Sequence, residues 1–120
     1  MFSDAVLDHF SNPRNAGELA NADAIVEVTN PVCGDILKLA MRRDGGIVAE
    51  VRFLCRGCTT AIACASYLTE KIQSIPPAEW KSITAESISI ALGELPQATR
   101  HGAQLAADAL RAIEREIAKT

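Results

Sequence analysis

Alternating apolar and polar positions predict three strands in the first half of the chain. Every second residue is apolar in the segments 24–29, 36–43 and 47–54, which is the pattern of strands with one buried face. Asp44-Gly45-Gly46, between the last two segments, is a hairpin sequence, so the strands are expected to form an antiparallel meander. The residues expected on the buried faces are Ala24, Val26, Val28, Leu37, Leu39, Met41, Ile47, Ala49, Val51 and Phe53.

The residues before the strands predict a short amphipathic helix. Ser3 or Asp4 can cap a helix over residues 4–10. His9 falls on the polar side of this helix and is expected to be exposed. The buried side is expected to carry Val6, Leu7 and Phe10.

Helical patterns alone follow the strands. Apolar stripes predict helices over about 58–75, 84–92 and 98–119, with a short turn around Trp80, which is expected to be a packing anchor. The succession of a helix, three strands and further helices predicts an α+β fold in one domain over residues 1–120. The C-terminal helices are expected to pack on one face of the sheet.

Composition and charge restrict the classes of function. Of the 120 residues 48% are apolar, and no apolar run approaches the roughly 20 residues of a membrane span. The net charge is −3 and the basic residues are scattered, which argues against nucleic-acid binding. The N-terminus lacks the features of a signal peptide, so a cytoplasmic location is expected. The four cysteines are therefore expected to be thiols, ligands or redox groups rather than structural disulfides.

Residues with metal-binding chemistry fall at one end of the predicted sheet. In a meander, the loop with Cys33 and Asp35 lies at the same edge as Cys58, where the third strand gives way to a helix. The amides at that helix N-terminus favour a thiolate. Leu95-Pro96 can return the chain to the same end and bring His101 there. Together the four side chains supply two sulfurs, an oxygen and a nitrogen, a donor set that suits tetrahedral zinc or iron.

Three of these four residues also have a simpler interpretation. Cys33 could be an incidental thiol, Asp35 a turn residue that bonds its own backbone, and His101 a solvated surface residue. Cys64 lies on an apolar helix stripe and is expected to be a small buried apolar residue. Cys55 is either a packing residue at a strand end or an auxiliary thiol near the site.

Two other classes of protein remain as alternatives. Cys55-Arg56-Gly57-Cys58 is a CxxC sequence between a strand and a helix, as in a thiol–disulfide oxidoreductase. Against this, no strand is predicted after the motif to complete a thioredoxin-like site. The other alternative is a structural zinc domain, but a chain with this much apolar sequence should survive removal of the metal.

Four sequence blocks resemble one family over nearly the whole chain. Residues 8–15 look like the opening DH(Y/F)xNPRN of that family, and residues 30–35 match its NPxCGD motif in full. Residues 53–70 look like FxxxGCxxAIAxxS…TE, and residues 95–109 are similar to LPPxKxHCxxLAxDA. On these blocks the chain resembles the U-type iron–sulfur cluster assembly scaffolds, which are the IscU and SufU proteins and the N-terminal domain of NifU.

The resemblance implies a scaffold or carrier rather than an enzyme. Such a protein binds iron or zinc and transiently holds a [2Fe–2S] cluster, built with sulfur from a cysteine desulfurase and passed to apo iron–sulfur acceptor proteins. Cys33 and Cys58 would be the cluster or metal cysteines, Asp35 the weaker oxygen ligand and His101 a neighbouring ligand. The close alternative is a zinc-binding protein of the same fold that accepts sulfur on Cys33 or Cys58. The expected assembly is a monomer, or a dimer whose formation depends on the bound cargo.

The chain departs from the family pattern at three places. The family's third cysteine, which follows the histidine and accepts sulfur in many relatives, is replaced by Gly102. Cys55 stands where the family usually has no cysteine. Residues 95–99 lack the usual lysine, which argues against recognition by a specialised Hsp70-type chaperone.

Overall fold

The computed structural model describes residues 2–119 and contains the predicted order of elements. The helices and strands are α1 (Asp4–Ser11), β1 (Ala24–Thr29), β2 (Ile36–Asp44), β3 (Ile47–Arg56), α2 (Thr59–Ser74), α3 (Ala85–Ala91) and α4 (Arg100–Ile117), with 3₁₀ turns at Pro77–Ser82 and Gln97–Thr99. The α+β class and the element order confirm the prediction.

The sheet is the predicted antiparallel meander, with the strand order β1-β2-β3. Gly45 and Gly46 join β2 to β3, and their positive φ angles of 61° and 87° are those of the two-residue turn that suits the twist of a hairpin. At the other end of these strands Ile36 pairs with Arg56. This pair brings the loop that precedes β2 next to the chain that leaves β3.

One bulge changes the predicted alternation near the start of β3. The strand register shifts between Arg42 and Arg43 and leaves Ala49 as an extra residue in β3. A bulge of this kind moves the side chains before it to the opposite face. Val48 therefore packs against the core, whereas Ile47 is 62% exposed. The prediction that Ile47 and Ala49 lie on the buried face was wrong.

Helix α2 is the centre of the packing, with α1, α4 and β3 against it, while α4 also covers β1 and β2. The predicted apolar stripe of α2 is buried and includes Cys64, whose thiol pKa burial raises to about 12. Trp80 is also fully buried, and its indole N–H donates to the Ile72 carbonyl at 3.3 Å. Both residues therefore belong to the core, as predicted. Among the helices of the described chain, none has the length and apolar character needed to span a bilayer.

Helix α1 buries a different side from the predicted one. Ser3 caps the helix by accepting the Val6 N–H at 3.1 Å. Val6 and His9 are buried, whereas Leu7 and Phe10 are 45% and 40% exposed. The predicted burial of Leu7 and Phe10 and the predicted exposure of His9 were therefore wrong.

His9 is buried because it has a hydrogen-bond partner on α2. Its Nδ1 lies 2.8 Å from Ser66 Oγ, and the same oxygen accepts the Arg14 N–H at 2.8 Å. Since Ser66 Oγ already accepts one hydrogen, its own proton can go to Nδ1 of the neutral imidazole. The Nε2 of the ring lies 3.8 Å from the Glu70 carboxylate. These contacts satisfy a polar group that burial would otherwise disfavour.

The burial of His9 is expected to make stability depend on pH. Loss of hydration, together with the charge of Arg14, lowers the pKa of His9 below its usual value of 6.5, and the carboxylates of Glu70 and Asp8 offset only part of this. The unfolded chain then binds a proton more readily than the folded chain, so the free energy of unfolding falls as the pH drops below about 6.5. Between about pH 7.5 and about pH 5.5, the free energy of unfolding measured with urea should fall less for His9→Asn than for the wild type. Parallel pH dependences in the two proteins would contradict this expectation.

Candidate metal centre

The loop between β1 and β2 carries two of the predicted ligands. The Asn30 carbonyl accepts the Gly34 N–H at 2.7 Å, and the Asn30 N–H donates to the Asp35 carbonyl at 2.8 Å. The side-chain oxygen of Asn30 also accepts the Val32 N–H at 2.9 Å. Gly34 has a φ of 74°, which glycine adopts without strain. This closed loop leaves Cys33 exposed and buries the Asp35 side chain.

Two helix N-termini meet the loop and carry the other two predicted ligands. Cys58 is the N-cap residue of α2, and His101 lies in the first turn of α4. The Nε2 atom of His101 is 3.5 Å from Cys58 Sγ and 3.5 Å from Asp35 Oδ2. One ligand atom each from Cys33, Asp35 and His101 lie within 4.8 Å of one another. The structure therefore brings all four predicted residues together around the imidazole ring.

The surroundings of Asp35 fit a bound cation. Its Oδ2 atom is buried and, among the residues that the structure describes, has no hydrogen-bond partner, although His101 Nε2 lies 3.5 Å away. A buried carboxylate oxygen without a hydrogen bond is unfavourable, and coordination to a metal ion would satisfy it. Gly57 leaves the space for this carboxylate, because a Cβ there would lie 2.9 Å from Asp35 Cγ. The donor set and the unsatisfied oxygen together fit zinc or iron.

The two helices add a favourable field for anionic ligands. The N-termini of α2 and α4 both lie at the site, and neither first turn contains an acidic residue. Helix N-termini carry a partial positive charge that stabilises thiolates and carboxylates. Cys58 makes no side-chain capping bond to the amides of α2, so its sulfur is not engaged in closing the helix.

Cys55 lies near the site but belongs to the core. It is partly buried and packs against the hydrophobic core. Burial, with a smaller contribution from the negative charge of Asp35, raises the pKa of the Cys55 thiol to about 11. A thiol that remains protonated at neutral pH is a poor ligand and a poor nucleophile. Of the two interpretations left open for Cys55, the structure favours the packing residue.

Two glycines shape the site although they offer no ligand atom. Gly57 borders Asp35, and Gly102 lies where the first turns of α2 and α4 touch. The sequence places both glycines next to predicted ligands, but their closeness to Asp35 and to α2 could not be predicted from it, because that closeness depends on distances between separate segments. For Gly102 the available signal was its position inside a predicted helix, where alanine would form helix more readily.

Known proteins similar to this chain identify its family. The family model of the NifU-like N terminal domain matches residues 1–118. The chain belongs to this family. The "iron-sulfur cluster assembly scaffold protein IscU 1" of Archaeoglobus fulgidus is 41% identical over 111 residues, which cover 92% of this chain and 72% of that protein. The IscU scaffold protein of Escherichia coli K12 is 39% identical over 115 residues, covering 92% of this chain and 89% of that protein.

A solved structure of the same family has the same fold. The N-terminal part of a NifU-like protein from Brucella abortus superposes with a TM-score of 0.78 over 98% of this chain and 94% of that chain. Its sequence identity of 18% supports the fold alone. The family model and the two IscU relatives confirm the family predicted from the four sequence blocks, and the fold of the solved structure covers 98% of this chain.

In this NifU-like domain two cysteine thiols are expected to be alkylated quickly and two slowly. Cys33 and Cys58 are exposed, whereas burial raises the pKa of Cys55 to about 11 and that of Cys64 to about 12. Iodoacetamide reacts with the thiolate. At about pH 8 the two exposed thiols of the metal-free protein should therefore react at least ~10-fold faster than the thiols of Cys55 and Cys64. Peptide mass spectrometry measures the four rates, and a urea-unfolded sample in which they converge is the control. Rapid alkylation of Cys55 in the folded protein would contradict its assignment to the core.

Proposed function

We propose that this protein is an iron–sulfur cluster assembly scaffold, which carries its cargo and is not an enzyme. The observation that supports this most strongly is the meeting of two cysteines, a carboxylate and an imidazole at one end of a NifU-like domain. In particular, His101 Nε2 is in contact with both Cys58 Sγ and Asp35 Oδ2. Relatives that share about two fifths of the sequence are themselves named iron–sulfur cluster assembly scaffold proteins.

Each proposed ligand has a distinct part in this function. Cys33 and Cys58 would bind iron as thiolates, and His101 would bind through a ring nitrogen. Asp35 would be the weakest ligand, because a carboxylate oxygen holds a cluster iron less firmly than a third thiolate would. A scaffold must release what it binds, and one weak ligand favours that release. The cargo would be a [2Fe–2S] cluster.

The exposure of the two cysteines agrees with transfer between proteins. Cys33 and Cys58 are both exposed, so partners can reach the sulfur atoms without opening the core. A cysteine desulfurase would supply the sulfur, and apo iron–sulfur proteins would accept the finished cluster.

A zinc-binding sulfur acceptor of the same fold is the second candidate. Two thiolates, one carboxylate and one imidazole complete a tetrahedral zinc shell without any further residue. Gly102, which stands in place of a third cysteine, favours this candidate because it leaves the donor set with only two sulfurs. The thiol–disulfide alternative is not favoured, since the first thiol of its CxxC sequence has a raised pKa and packs against the core.

Metal and sulfide analysis of protein purified without oxygen tests the proposal. The wild type should contain iron and acid-labile sulfide in equal amounts, and Cys33→Ala or Cys58→Ala should lower both by about 10-fold or more, because each removes a thiolate ligand. Cys64→Ala is the matched control, since it removes a fully buried thiol that is not among the proposed ligands and should leave the metal content unchanged.

Three outcomes separate the candidates. Equal iron and sulfide support the scaffold, whereas zinc without sulfide supports the second candidate. Metal content that is the same in the wild type, Cys33→Ala and Cys58→Ala would contradict both.

A further inference from the structure

The outer face of the sheet, which points away from the buried core, carries a groove with apolar side chains in it. Along β2 the buried Leu37 and Leu39 alternate with Ile36 and Lys38, which lie on the outer face. On the same face Leu54 of β3 is 40% exposed. The groove around it, called the outer groove below, is lined by Glu27, Ile36, Lys38, Leu54, Cys55 and Arg56.

The outer groove begins beside the candidate metal centre. The pairing of β2 with β3 places Lys38 opposite Leu54 and Ile36 opposite Arg56. Asp35 directly precedes this last pair in β2, so one end of the groove adjoins the proposed ligands. A protein seated in the groove would therefore lie next to the metal centre.

The β2–β3 hairpin is positive in a protein that is acidic as a whole. Residues 36–56 contain five lysines and arginines against two acidic residues, whereas the whole chain contains 12 against 15. Two of these cations, Arg42 and Arg52, pair with the carboxylate of Glu50, at 3.0 Å and 2.9 Å. Their charge is therefore largely compensated within the sheet.

Two cations of the outer groove are not compensated in this way. Lys38 and Arg56 take part in none of the ion pairs between described residues. They are far apart in the sequence, but they lie diagonally across the β2–β3 ladder, on either side of the line from Ile36 to Leu54. Glu27, opposite Lys38 in β1, is the one acidic side chain among those that line the groove. The groove therefore combines apolar side chains with an excess of positive charge.

We propose that the outer groove is the docking surface for an acidic apo iron–sulfur protein, which places carboxylates against Lys38 and Arg56 and an apolar side chain on Leu54. Opposite charge speeds the encounter and fixes the orientation, while apolar contact at the centre excludes water. The inference rests on the proposed function, since it takes the docked protein to be the acceptor of the cluster. A groove of this small size suits a partner that binds briefly and then leaves.

The number of cations favours a protein over an anionic membrane or a nucleic acid. Two unpaired cations are fewer than the roughly four to eight of a typical lipid-binding cluster. Nucleic-acid binding likewise requires several cations along the phosphate backbone. The apolar side chain of Leu54 between Lys38 and Arg56 instead resembles the apolar centre and charged rim of a small protein–protein interface.

Calorimetric titration of the metal-free protein with an acidic apo-ferredoxin tests the inference at low salt. The double variant Lys38→Glu/Arg56→Glu should bind about 10-fold more weakly or worse, because two attractions become repulsions. Leu54→Thr should bind about 3-fold more weakly, because less apolar area is buried. Threonine keeps the preference for a strand at this exposed position. Amide shifts in NMR spectra of the wild type should be largest at residues 36–38 and 54–56.

Lys81→Glu/Arg115→Glu is the matched control. Both side chains are exposed and belong to helical elements rather than to the sheet. This variant changes the net charge by the same amount as the double variant in the groove. It should bind apo-ferredoxin with the affinity of the wild type, because the attraction is local to the groove.

Four results would overturn the inference. They are absence of binding by the wild type, an unchanged affinity of Lys38→Glu/Arg56→Glu, an equal loss in the control, and binding to phosphatidylserine vesicles but not to apo-ferredoxin. A protein that binds apo-ferredoxin through the groove but holds neither iron nor sulfide would instead count against the proposed function alone. Because the titration uses metal-free protein, the two failures can be distinguished.

Discussion

The pairing of Ile36 with Arg56 is the constraint on which the candidate site depends. It places Asp35, the residue before β2, beside Gly57, the residue after β3, and therefore at the start of α2. The register follows from burial, since a slip of one residue would turn the apolar side chains of a strand away from the core. The same slip would separate the Asp35 carboxylate from Gly57, which has no side chain and so leaves space for it. The hydrophobic core thus determines the geometry of the polar site at its edge.

The remaining ligand comes from the packing of α4 on α2. No local motif contains the site, because its donors belong to a loop, to the N-terminus of α2 and to the first turn of the distant helix α4. Such a site forms only when the whole domain has folded, and an ion bound to all three segments would in turn favour the folded state. The soft sulfur atoms lie on the exposed side, while the harder oxygen is buried. This arrangement suits cargo that enters and leaves from solvent.

Most of the fold could be predicted because its signals are local. The alternation in β1 and β2, the Gly45-Gly46 turn and the apolar stripe of α2 each specify an element without reference to distant residues. The candidate ligands could be selected for the same reason, since a meander brings known strand ends together. What could not be predicted depends on long-range geometry. The bulge at Ala49 places Ile47 on the exposed face of the sheet instead of the buried one. The burial of His9 depends on the hydroxyl of Ser66, 57 residues away. The lack of space for a side chain at Gly102 likewise depends on how closely α2 and α4 approach.

In the proposed metal centre, side chains from three separate segments would bind one common ion. X-ray absorption of the protein loaded with one equivalent of zinc measures this shell directly. The expected spectrum has two sulfur scatterers at about 2.3 Å and two nitrogen or oxygen scatterers at about 2.0–2.2 Å, with an imidazole signal that disappears in His101→Ala. A shell without sulfur, or one in which the imidazole signal survives that substitution, would contradict the claim.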